Sequence, residues 1–306
     1  MTFNIDIAIV ASYMVFCLVI GLFKYGTIKN IRDYTLGTKP FSTIVLLATT
    51  FATAISAIHI GSMGKVYELG LVFMIPLFFG PIAWFVFTKV LEPNLKIFRK
   101  HRFISLSDIM EHWYGNLGRW VTNIIAVFLS VSITAISTIA IGYLLQYFLK
   151  IPENIGMGIC LVVVTIYSIF GGITSVVFTD IFQFSIFFIA LPIACIIGYH
   201  DTGGIKEVWS SLPKTHTQIN DIPLFISFIF FALIPNADIP FIQRSLMAKD
   251  KKQFLRSFIG VTALLFPVLL IVCSVGLITY YKNPSIESDK VLYYFMEHYL
   301  PIGFRG

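Results

Sequence analysis

Charged side chains are scarce in this sequence. Asp, Glu, Lys and Arg make up 12% of its 306 residues, while 57% are hydrophobic. Soluble domains carry about 25% charged residues, so a chain with half that share cannot cover a water-facing surface, and its main solvent is lipid. The local signatures of soluble enzymes are missing too. There is no Walker-type glycine loop, which excludes P-loop nucleotide chemistry, no His pair at helical spacing and no nucleophile elbow. The four cysteines, Cys17, Cys160, Cys195 and Cys273, lie in or beside apolar runs without paired metal-ligand spacing, which excludes a zinc module. His101, His112, His200, His216 and His298 are scattered through loops and read as solvated or interfacial. The short alternation of apolar and polar residues that builds a membrane β-barrel is absent as well. The chain does not read as an enzyme.

What the chain has in abundance is continuous apolar sequence in runs of roughly 20 residues, the length at which a helix rising about 1.5 Å per residue crosses about 30 Å of hydrocarbon. Mean hydropathy is +0.84. With no water in the bilayer core, helices satisfy the backbone within each run. The fold class is therefore all-α, a polytopic transmembrane helix bundle, with eight spans expected near 5–24, 42–64, 69–90, 120–148, 155–172, 174–199, 222–243 and 257–281. The first run lacks a basic leader and a small-residue cleavage site, so it reads as a retained span. Residues 288–299 place Val291, Leu292, Phe295 and Met296 at helical spacing among charges, the pattern of a short interfacial helix.

The net charge of +6 does not indicate nucleic acid, because the basic residues sit in short loops. Counted by alternate loops, fifteen of the 22 Lys and Arg fall on one side (24–39, 89–102, 119 and 244–256) and seven on the other. The richer side belongs in the cytoplasm, which puts both chain ends outside it. The loop 200–221, with Gly203, Gly204 and Pro213, then becomes an extracytoplasmic connector. The whole of 1–306 reads as one transmembrane domain.

Polar or helix-breaking residues inside apolar spans cost free energy unless they pair or line a wet cavity. Three places have them. The run 49–62 combines Thr49, Thr50, Thr53, Ser56, His59, Gly61 and Ser62; it is either a small-residue packing face or a helix broken so that backbone carbonyls are freed for an alkali cation. In 166–183 the pair Gly171-Gly172 joins two spans, with Asp180 and Gln183 one turn apart beyond it. Asp180 is either a first-turns carboxylate against the helix dipole or part of an interhelical hydrogen bond, or else lies on a cation path. In 235–244, Pro235 and Pro240 flank Asn236 and Asp238. That is either a Pro kink with Asp238 neutralised by Arg244 or Lys249, or a broken helix carrying polar groups toward a ligand.

Together these segments resemble the sodium:solute symporter family, which includes sodium-coupled sugar, proline, pantothenate and sialic acid cotransporters. Asp33-Tyr34-Thr35-Leu36-Gly37 is similar to its D-Y-x-x-G stretch, 51–64 to its broken first core helix, 166–183 to its I-Y-x-x-x-G-G-x-x-A-V-x-W-T-D-x-x-Q signature, and 243–249 to its Q-R-x-L-A-A-K. The resemblance implies a LeuT-type fold: an extra helix, here 5–24, then core helices, here about 42–281, from five-plus-five inverted repeats. It implies sodium-coupled symport of a small polar solute by alternating access, with sodium as the coupling ion and no other cofactor. It places sodium against backbone oxygens of Ala52 and Ile55, with Asp180 on the ion's path. Ser56, His59, Asp238 and Phe241 fall near substrate-contacting or gating positions, although 56–67 is one residue shorter than the common pattern.

The family completes its sodium site with a Ser/Thr pair on a core helix that would follow 300–306. The expectation is therefore a C-terminally incomplete symporter that does not transport alone. A symporter-like sensory module of a signalling protein and a remnant of a split symporter gene are the alternatives. The expected setting is a lipid bilayer, the bacterial inner (plasma) membrane, with the N-terminus extracytoplasmic. No feature bears on oligomeric state or names the solute.

Overall fold

The computed structural model describes residues 5–24, 28–55, 57–234 and 239–305. The chain folds as helices α1 (Ile5–Lys24), α2 (Ile31–Leu36), α3 (Thr43–Ala54), α4 (Ala57–Leu69), α5 (Leu71–Leu77), α6 (Phe79–Leu91), α7 (Leu95–Lys100), α8 (Leu106–Leu149), α9 (Glu153–Asp201), α10 (Ile205–Ser211), α11 (Lys214–Thr217), α12 (Ile222–Leu233), α13 (Ile239–Met247), α14 (Lys251–Lys282) and α15 (Val291–Tyr299). No strand occurs among the described residues. Several helices start where the sequence supplies a side-chain acceptor. Asn30, Ser42, Ser105 and Asp250 each take the amide three residues on, at Asp33, Val45, Asp108 and Gln253, which satisfies a donor that the first turn leaves orphaned.

Two long helical stretches turn back on themselves at glycine. α9 has 49 residues, about 73 Å if straight, far more than a bilayer core of about 30 Å. At Gly172 the backbone adopts φ 53°, ψ −156°, a conformation open essentially to glycine. Ser175 Oγ then reaches the Tyr167 carbonyl at 3.1 Å, eight residues away, a contact only a reversed chain allows. Gly115, at φ 67°, ψ −164°, does the same in α8. Ser107 Oγ lies 2.5 Å from Asn123 Oδ1, although sixteen residues of straight helix would hold them about 24 Å apart.

Among the described residues, five helices are long and apolar enough to cross a membrane, or six with the bent pair α3–α4 counted as one span. Reversal at Gly172 divides α9 into two, and α12 is a shorter apolar helix, so the structure has the several apolar helices of the expected bundle. It differs in detail. Residues 106–114 form a helix that the apolar pattern did not show. The loop 200–221 carries α10 and α11, and His216, expected to be solvated or interfacial, is buried, with Nε2 2.8 Å from the Tyr67 carbonyl and its ring 4.0 Å from that of Tyr280. It ties the loop 200–221 to the end of α4.

The core centres on α14, whose Phe254, Phe258, Val261, Val272 and Ile278 are fully or almost fully buried. α14 packs on α3, α4, α6, α9 and α15. Trp84 of α6 stacks on Phe258 with planes 8° apart and donates its indole N–H to the Phe258 carbonyl at 3.0 Å. By contrast, the most apolar window of α8 contains no buried residue. Such an outward apolar surface belongs in lipid.

Candidate functional site

α3 contains the hydroxyl-rich run. Thr50 donates to the Leu46 carbonyl at 2.6 Å and Thr53 to the Thr49 carbonyl at 2.8 Å, so these hydroxyls are used within the helix. The helix stops at Ala54. Ile55 turns to an extended φ −89°, ψ 100° while its N–H still bonds the Phe51 carbonyl at 3.0 Å. The axes of Thr43–Ala54 and His59–Leu69 differ by 49°. Of the two sequence readings, the break is the one observed. Ala52 is buried in the last turn of α3, where an α-helix runs out of internal donors for its carbonyls. Ser56 lies outside the described residues.

Asp180 is buried in the second half of α9. Its Oδ2 accepts a short hydrogen bond from Thr49 Oγ1 and a second from Arg244 Nη2 at 3.3 Å. Arg244 Nε in turn donates to Thr49 Oγ1 at 3.2 Å. Three helices, α3, α9 and α13, therefore meet in a closed triangle of carboxylate, guanidinium and hydroxyl. Arg244 is itself buried, 5% exposed, so each charge has the other as its compensation. One sequence reading had Asp238 neutralised by Arg244 or Lys249; the guanidinium pairs with Asp180. Asp238 lies outside the described residues.

Beyond this triangle is a cavity of about 980 Å³ lined by residues of α1, α4, α8, α9, α14 and α15 together with Ile55. Its wall is mostly apolar. The polar exceptions are Ser12, Tyr13, His59, Ser137 and Gln183. Gln183 Nε2 donates to the Tyr13 hydroxyl at 2.6 Å, and the Tyr13 ring stacks at 5.8 Å on Phe182. Ile55 and His59 thus reach the same space from either side of the break. Phe241 does not line it: its ring is buried against Trp84, centroids 4.4 Å apart. Asp180 stands one turn below Gln183, outside the wall.

Sequence reasoning did not bring Thr49 and Arg244 to Asp180, and it missed Tyr13. For Arg244 a signal existed. A cation in the C-terminal turn of a partly apolar helix needs an acidic partner, and Asp180 was one of the few carboxylates within an apolar span. For Tyr13 nothing local distinguishes it from any aromatic of a lipid-facing helix.

The chain thus combines a broken apolar span, a cavity within the helix bundle and a buried ion pair. The sequence profile of the sodium:solute symporter family matches residues 34–283, and the chain belongs to that family. It is 24% identical to a sodium/glucose cotransporter of Vibrio parahaemolyticus over 99% of this chain and 63% of that protein. It is 26% identical to the sodium/pantothenate symporter of Escherichia coli K12 over 68% of this chain and 44% of that one. It is 23% identical to the sodium/sialic acid symporter SiaT of Proteus mirabilis over 99% and 65%. The chain spans less than two thirds of the length of these relatives. A solved structure of a Na⁺-coupled sialic acid symporter in its substrate-bound outward-open state superposes with a TM-score of 0.85 at 21% identity, covering 98% of this chain and 68% of that one. The fold is accordingly of the LeuT type, and the protein is an integral membrane protein.

Proposed function

We propose that this chain serves sodium-coupled symport of a small polar solute by alternating access, in the plasma membrane of a bacterium and with its N-terminus extracytoplasmic. The observation that supports this best is the break at Ile55, which ends α3 beside a cavity in the middle of the bundle. In hydrocarbon, a helix is broken only where the freed carbonyls find another partner. Neutral backbone oxygens are hard ligands suited to an alkali cation. In this reading the carbonyls of Ala52 and Ile55 hold the sodium ion, and Asp180 receives it on the way to the cytoplasm. Ser56, His59 and Asp238 address the polar groups of the solute. Phe241, packed on Trp84, would meet the solute only after α13 moved. Sodium favours one orientation of the bundle through its differential affinity for that state. One sodium ion moving down about 100 mV contributes roughly 2.3 kcal/mol to accumulation before any concentration difference is counted.

The test begins with binding. Purified protein in detergent is unfolded thermally in sodium chloride and in choline chloride of equal ionic strength. A sodium concentration about 100 times the dissociation constant adds roughly 2.7 kcal/mol of stability, seen as a raised midpoint that potassium does not reproduce. Proteoliposomes then read sodium-gradient-driven uptake of labelled proline, pantothenate, glucose and sialic acid. No selective response to sodium in either measurement overturns the proposal.

A further inference from the structure

We propose that Arg244 is a tethered cation that occupies the carboxylate of Asp180 while the inner path is closed and that departing sodium displaces it, making the Thr49–Asp180–Arg244 triangle the inner latch of the pathway. This rests on the sodium reading above and adds the residue with which the ion competes.

Position comes first. Gln183 and Ile55 line the cavity. Asp180 precedes Gln183 by one turn on α9, and Thr49 precedes Ile55 by six residues on α3, so the triangle lies roughly 5–9 Å below the cavity floor. It lies toward the Gly172 turn and the Ser42 cap, the ends where the Lys- and Arg-rich loops gather. An ion leaving the break by that route meets Asp180 next.

Connectivity comes second. The three hydrogen bonds join three separate elements, and Asp180 Oδ2 takes both the hydroxyl and the guanidinium. Withdrawing the guanidinium removes the hydrogen bonds that join α13 to α3 and α9 at this point. Arg244 stands three residues from the end of α13 at Met247, close enough for its long side chain to swing to the aqueous face.

Chemistry comes third. A buried carboxylate that stays ionised requires a cation in every state. With Arg244 withdrawn, the same carboxylate and the Thr49 hydroxyl become hard oxygen ligands for sodium. The exchange of one cation for another leaves the charge of the buried cluster unchanged. A bridge with only a packing role would fix the helices but would not respond to the ion.

The experiment uses the full chain with Cys17, Cys160, Cys195 and Cys273 replaced and Phe187→Cys placed in the cavity wall. Inside-out membrane vesicles are treated with a membrane-impermeant thiol reagent in choline chloride and in sodium chloride. Arg244→Gln is expected to raise the labelling rate in choline about tenfold or more, the response of a mostly closed population shifted toward open. The double variant Asp180→Asn/Arg244→Gln, which leaves no unpaired buried charge, labels as fast, and the exchanged pair Asp180→Arg/Arg244→Asp returns to the slow rate. In the unmodified latch, sodium alone accelerates labelling. Parent-like rates in both Arg244→Gln and the double variant overturn the latch, even where sodium-driven uptake is present. Opening by Arg244→Gln with no response to sodium in the parent overturns the exchange together with the sodium reading.

Discussion

At the scale of single residues, the buried pair of Asp180 and Arg244 carries opposite consequences for one substitution and for two. Arg244→Ala leaves a carboxylate buried without compensation, and breaking a buried pair from one side costs about 3–5 kcal/mol. Removing both charges with Asp180→Asn/Arg244→Gln keeps shape and hydrogen-bonding capacity, so its cost is expected to be under about 1 kcal/mol. Thermal midpoints of the two purified variants decide the matter: equal losses mean that the charges are compensated by something other than each other. The pairing was not legible in the sequence for a plain reason. Arg244 has Asp238 six residues away and Asp180 sixty-four away, and only the folded bundle brings α9 against α13. What was legible was that Asp180, a carboxylate in an apolar span, needed a partner at all.

At the scale of elements, the two glycine reversals separate the cost of conformation from the cost of space. Both Gly115 and Gly172 have positive φ, at 67° and 53°, and a side chain there costs of order 1–3 kcal/mol. Around Gly115 a Cβ would meet nothing within 4 Å, whereas at Gly172 it would stand 3.0 Å from the Tyr34 carbonyl oxygen and ring. Tyr34 is itself held, its hydroxyl bonding the Ser168 carbonyl at 3.1 Å. Gly172→Ala is therefore expected to destabilise the protein more than Gly115→Ala, by about 1–3 kcal/mol of overpacking. Folded yield after solubilisation and thermal midpoints check the order, and equal effects would show that Tyr34 yields freely. The sequence revealed the Gly172 turn because it falls between two apolar runs, each long enough to span. The Gly115 turn was hidden: 106–114 mixes Asp108, Glu111 and His112 with its apolar residues, so no change of hydropathy marks a helix before it. The break at Ile55 was legible in kind from the crowd of small and hydroxyl residues. Its position was set by where α3 loses its last internal bond, a backbone event with no residue signature of its own.

At the scale of the whole molecule, the direction of transport depends on which face of the bundle meets the cytoplasm. The superposition establishes the fold but not the sidedness. Sidedness is argued from charge: loops carrying 24–39, 89–102, 119 and 244–256 hold fifteen of the 22 basic residues, and an excess of Lys and Arg in short loops keeps them in the cytoplasm. These loops gather in the structure. Arg32 Nη1 bonds the Arg102 carbonyl at 3.1 Å, Arg99 Nη2 the Ala248 carbonyl at 3.3 Å, and Lys251 pairs with Glu92 at 2.7 Å. The connector at 200–221 instead joins α4 through His216 and Tyr67, with α4 running away from the Ser42 end. A cysteine at Lys206 is therefore expected to react with an impermeant maleimide added to intact cells, and one at Lys100 to react only after the membrane is opened. Both positions are remote from the triangle and the cavity, so neither substitution should alter sodium response. The reverse labelling pattern would place the Asp180 latch on the outer side of the cavity. Sodium would then meet Arg244 on entry rather than on exit, and the ion's order of contacts would run from Asp180 to the break at Ile55.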